Sequence, residues 1–176
     1  MTAVVLALSL ALSAEPVQSG TPVGQRPGPY SFLVATGPQR GQPTCYVCEQ
    51  GDKPTAVVFA RTLSEPLGKL LAKLDAEAAT RSDAGFKAWM THLATTADLD
   101  ALAEWGQRQG LKAVVVGAFE DADGPPAYRL AADADVTVIL SVNRKVTANF
   151  AFRKGELTDA AVAEVVRAVP GLFPAK

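Results

Sequence analysis

Residues 55–74 read TAVVFARTLSEPLGKLLAKL. The first six, TAVVFA, are apolar and rich in β-branched side chains, as in a strand buried on both faces. Ser64 then offers a side-chain oxygen as a helix cap. Leu67, Leu70, Leu71 and Leu74 follow at i, i+3, i+4 and i+7, one apolar face of a helix. A buried strand running into an amphipathic helix opens a βαβ unit, and such units imply parallel strands covered by helices.

The pattern continues downstream. Residues 86–93 (FKAWMTHL) read as a second strand. Thr96 opens another helix through Leu99, Leu102 and Ala103, and Gly110 closes it. Residues 111–119 (LKAVVVGAF) are a third buried strand. A polar stretch, 121–135, is broken by Gly124-Pro125-Pro126. Residues 136–140 (VTVIL) and 146–152 (VTANFAF) then fit an antiparallel hairpin. A last helix starts near Thr158, with Val162, Val165, Val166 and Val169 on its apolar face.

Upstream, residues 30–35 (YSFLVA) predict a first strand. Residues 36–54 form a long Gly- and Pro-rich connection holding the chain's two cysteines, in Cys45-Tyr46-Val47-Cys48. A connection of that length is usually functional or cross-linked. Residues 20–29 (GTPVGQRPGP) read as extended linker. Residues 3–12 (AVVLALSLAL), followed by Ser13 and Ala14, have the length and small-residue exit of an export signal. The same stretch is too short to span a bilayer. The expected organisation is a signal peptide at 1–14, a linker at 15–29 and one domain at 30–176. Export would put both cysteines in an oxidising, periplasmic or extracellular compartment.

Of the 176 residues, 48% are hydrophobic and 20% charged, with a net charge of -1. That is globular composition and suits a single domain. No basic stripe occurs, so nucleic acid is not an expected partner.

Residues 30–172 resemble the redoxin branch of the thioredoxin superfamily, which holds peroxiredoxin-like and TlpA-like proteins. Asp52-Lys53-Pro54-Thr55-Ala56-Val57-Val58-Phe59 is similar to that family's first central strand. Residues 128–140 (YRLAADADVTVIL) resemble the segment leading into its hairpin. Arg144 to Val146, with residues 149–157 (NFAFRKGEL), resemble the hairpin and the approach to the last helix. The resemblance implies an α/β, thioredoxin-like fold: a central mixed sheet flanked by helices.

Three departures bear on function. The family's reactive cysteine follows the strand matched by residues 55–60, at a helix start that stabilises thiolate. Here that segment reads Arg61-Thr62-Leu63-Ser64-Glu65-Pro66, so a peroxiredoxin-type nucleophile is absent. Ser64 has no base beside it in sequence and reads as a cap. The family's cis-proline position is matched by Val136, for which a trans peptide is expected. Finally, Cys45 and Cys48 precede the strand instead of following it.

Two roles for the pair stay open. A Cys-x-x-Cys can close a small, strained disulfide that exchanges readily with thiols. Its substrates would be protein thiols or disulfides, with no cofactor, and the family's order would make Cys45 the attacker and Cys48 the resolver. Alternatively, the pair forms a permanent disulfide that pins a loop in a non-catalytic binding module. No helix start is predicted at Cys45. Glu49 and Asp52 oppose thiolate, while Lys53 and Arg40 offset them. Zinc needs about four ligands, against two cysteines and one histidine, so no metal is expected. His92 reads as a satisfied strand histidine; a copper site would require the cysteines beside it. Trp89 and Trp105 read as packing residues. Arg61, at the carboxyl end of its strand, is placed for an anion or a surface ion pair.

Overall fold

The computed structural model describes residues 15–96 and 98–174; the expected signal peptide, 1–14, lies outside the described residues. Seven strands form one mixed sheet in the order β2-β1-β5-β4-β3-β6-β7. They are β1 (Phe32–Val34), β2 (Pro43–Thr44), β3 (Thr55–Ala60), β4 (Lys87–Leu93), β5 (Val115–Phe119), β6 (Val136–Val142) and β7 (Lys145–Phe152). The helices are α1 (Tyr46–Gln50), α2 (Glu65–Thr80), α3 (Leu99–Arg108) and α4 (Asp159–Ala168). β3, β4 and β5 are parallel, and β6 and β7 return antiparallel, as the sequence order predicts.

The strand pleat divides the core in two. Ala56, Val58 and Ala60 of β3 share one face with Ala88 and Met90 of β4. Against this face pack Leu67, Leu70, Leu71 and Leu74 of α2, Leu102 and Trp105 of α3, and Val162 and Val165 of α4. The two crossovers β3-α2-β4 and β4-α3-β5 step the same way across the sheet. Crossovers of one hand then place α2 and α3 on the same side.

The opposite face is aromatic. Val57, Phe59, Trp89 and Ile139 meet Tyr30, Phe32, Tyr46 and Tyr128. Among the described residues, no long helix covers it. Its cover is the chain ahead of β1, the short α1, and the segment around Tyr128. Residues 15–29, expected as a linker, run along β6 and β7. Gly24 N–H donates to the Val146 carbonyl at 2.8 Å, Val146 N–H to that of Gln25 at 2.9 Å, and Ser19 Oγ lies 2.7 Å from Thr137 Oγ1.

Some boundaries differ from the sequence reading. Asp98, not Thr96, caps α3, its carboxylate accepting from Ala101 N–H at 2.9 Å. β5 begins at Val115, because the Asp75 carboxylate takes the N–H groups of Lys112, Ala113 and Val114. Ser64 caps α2 as expected, accepting from Leu67 N–H at 3.3 Å.

Candidate functional site

Two ends of the parallel strands must be compared. At the carboxyl end of β3 the chain continues through Arg61, Thr62, Leu63 and Ser64. Leu63 packs against the helix-covered core, and Ser64 is engaged as the α2 cap. Val136 lies opposite Ala60 in β6, is 1% exposed, and no cis peptide occurs among the described residues. The Arg61 guanidinium is engaged by backbone rather than by a carboxylate among the described residues. It donates to three carbonyls of the 121–135 loop: Ala134 at 3.0 Å, Ala131 at 3.2 Å, and Ala122. His92 is at this end too, its Nδ1 3.0 Å from the Ala60 carbonyl oxygen. Neither cysteine stands here.

The cysteines occupy the other end. Contrary to expectation, a helix does start at Cys45: the residue is the N-cap of α1, and its Sγ accepts from Cys48 N–H at 3.3 Å. Tyr46 and Gln50 lie four positions apart on one helical face, and both are buried. Tyr46 packs edge-on against Phe32 and Trp89. Gln50 Nε2 donates to the Gly85 carbonyl at 2.9 Å, just ahead of β4. Gly51 ends the helix with φ at 58°, a conformation that glycine adopts without a Cβ penalty. These contacts set α1 beside the amino ends of β3 and β4. The length of β3, roughly 17 Å at about 3.3 Å per residue, separates it from the Arg61–Val136 end.

Cys45 and Cys48 form a disulfide, with Cα atoms 5.3 Å apart. Cys45 is half-buried between β2 and α1, whereas Cys48 is exposed. Cys48 lines a cleft of about 440 Å³. One wall is Pro27, Gly28 and Pro29; the other is Val47, Cys48 and Gln50 of α1. Thr55 and Ser141 lie below, their hydroxyls 2.6 Å apart, and Arg26 and Arg144 complete the lining.

Charge near the sulfurs is compensated locally. Glu49 meets Lys87 Nζ at 3.7 Å and accepts from Gln39 Nε2 at 3.1 Å. Lys87 Nζ also lies 4.1 Å from the Tyr46 ring centre. Asp52 holds Arg144 Nε at 2.9 Å. Arg40, expected to offset these acids, is instead paired with Asp100. The lysine that answers Glu49 is therefore Lys87, brought in by β4. Burial, and to a lesser degree Glu49, raises the Tyr46 pKa.

Structure comparison agrees with this architecture. A candidate protein disulfide isomerase from Bacteroides thetaiotaomicron superposes with a TM-score of 0.67 at 14% identity, covering 89% of this chain and 94% of that one. The fold is thioredoxin-like. A secreted disulfide oxidoreductase from Mycobacterium tuberculosis gives 0.57 at 12% identity, over 79% of this chain and 95% of that one. The peroxidoxin BcpB from the same organism gives 0.60 at 13%, over 86% and 98%. No family model and no curated protein matches the sequence. Within this thioredoxin-like fold, Cys45 and Cys48 are joined to each other but not to His92, Arg61, Ser64 or Val136. Among the described residues, no group of three or more His, Cys, Asp and Glu side chains clusters as a metal site. Sequence reasoning missed the cleft residues Val47, Gln50 and Arg144. One available signal was the i, i+4 pair Tyr46 and Gln50 followed by Gly51, which marks a short capped helix.

Proposed function

We propose that this thioredoxin-like protein carries out thiol–disulfide exchange through Cys45 and Cys48, with protein thiols or disulfides as substrates and no cofactor. One observation carries the reading: the disulfide is not enclosed, and Cys48 is exposed on the wall of a cleft of about 440 Å³. A bridge kept only for stability gains nothing from that exposure. Its loop is also short. A sequence separation of three closes about the smallest ring a disulfide can make, and the chain-entropy gain is near 2 kcal/mol.

A second reading rests on position. The pair stands at the amino ends of β3 and β4, and the ordinary reactive slot holds Leu63 and Ser64. On that reading the disulfide pins α1 in a binding module without redox activity. The midpoint potential in glutathione or dithiothreitol buffers separates the two. Exchange predicts a value within the oxidoreductase range, about −120 to −270 mV; a value below about −300 mV means a permanent bridge.

We also propose export, supported by the apolar run at residues 3–12 and the small residues Ser13 and Ala14. Protein recovered from outside the cytoplasm should then begin near Glu15. Recovery only from the cytoplasm, with Met1 retained, would contradict it.

A further inference from the structure

If Cys45 and Cys48 exchange, as proposed above, the two sulfurs need not play the parts their order in the chain suggests. We infer that Cys48 is the sulfur that meets the substrate and Cys45 is the one that resolves. Three observations lead there. Cys48 is exposed and lines the cleft; Cys45 is half-buried behind it and does not. Cys45 Sγ already accepts a hydrogen bond from Cys48 N–H at 3.3 Å, and that bond strengthens when the sulfur carries charge. Glu49, next to Cys48, is drawn away by Lys87 and Gln39, so the exposed sulfur is not screened by an unpaired carboxylate. Exchange rates depend on access to the attacked sulfur and on how stable the leaving thiolate is. Both favour Cys48 as the attacked atom and Cys45 as the leaving one.

A partner thiolate entering past Pro29 and Val47 attacks Sγ of Cys48. The Cys45–Cys48 bond breaks, its electron pair goes to Cys45, and a partner–Cys48 disulfide forms. Cys45 departs as thiolate, is held by the Cys48 N–H, and takes a proton from water. A second partner thiolate then attacks the partner's sulfur in the mixed disulfide. The partner leaves oxidised by two electrons, and Cys48 leaves as thiolate. In the reverse direction, reduced Cys48 attacks a partner disulfide and Cys45 displaces it.

The test uses Cys45→Ser and Cys48→Ser, each incubated with insulin as the disulfide probe, with mixed disulfides followed by mass spectrometry. Cys45→Ser should accumulate the adduct on Cys48, on the order of tenfold faster than Cys48→Ser accumulates one on Cys45. Wild type provides a measurement independent of variant folding. When it is reduced and briefly treated with iodoacetamide, Cys48 should be the first residue modified in the peptide map. Faster trapping and alkylation at Cys45 would overturn the inferred order while leaving exchange itself standing. An adduct on neither variant, with wild type inert toward insulin, would overturn the exchange reading and this inference with it.

Discussion

The buried tyrosine Tyr30 shows how one side chain ties the aromatic face together. Its hydroxyl accepts from Trp89 Nε1 at 2.8 Å and lies 2.8 Å from Thr91 Oγ1. Burial raises its pKa, more than those two hydrogen bonds lower it. Tyr128 is buried against Tyr30 and Phe59, and its pKa is raised by burial and then by Tyr30. Tyr46 is raised as well, and these are the chain's three tyrosines. Below the unfolded value of about 10 both states hold the protons; above it the unfolded chain loses them first. Stability should therefore fall as pH rises past about 10, with tyrosinate absorbance appearing together with loss of near-ultraviolet circular dichroism. Tyrosinate formed at about pH 10 in a chain that stays folded would contradict this burial.

At the scale of elements, Arg61, the residue that follows β3, ties down the segment after β5 at three points. The 121–135 stretch reads in sequence only as polar and Gly/Pro-broken, and it contributes few regular backbone pairings of its own. The three carbonyl contacts of Arg61 anchor it. Lysine carries the charge but not the planar fork of donors. Arg61→Lys should cost about 1–2 kcal/mol and speed amide exchange in residues 121–135, read by denaturant titration and hydrogen-exchange mass spectrometry. An unchanged midpoint and exchange pattern would remove Arg61 from that role. α2 could be read from Ser64 and four leucines, because capping and periodicity are local properties. The role of Arg61 could not, because its partners lie 61 to 73 positions away. α1 was hidden for another reason: five residues are too few to show a period, and it is anchored in part by β4 and the loop before it.

At the scale of the molecule, the core belongs to the sheet and the three long helices, while the disulfide closes one turn at its edge. Reduction should leave the fold intact and lower its stability by no more than about 2 kcal/mol, measured by thermal or denaturant unfolding with and without dithiothreitol. Collapse on reduction would mean that the bridge is structural first. The fold was legible in the sequence because βαβ order and hairpin spacing survive extensive change in side chains. That the cysteine pair precedes β3 was legible too, but the seating of α1 beside β4 was not, since it rests on contacts with Trp89 and Gly85, distant in the chain. We propose that this thioredoxin-like fold runs its chemistry from the amino ends of β3 and β4. Insulin reduction by dithiothreitol, catalysed by wild type and by Cys48→Ser, tests it most directly. Wild type should catalyse the reaction while Cys48→Ser runs near background; equal, near-zero rates for both would overturn that placement.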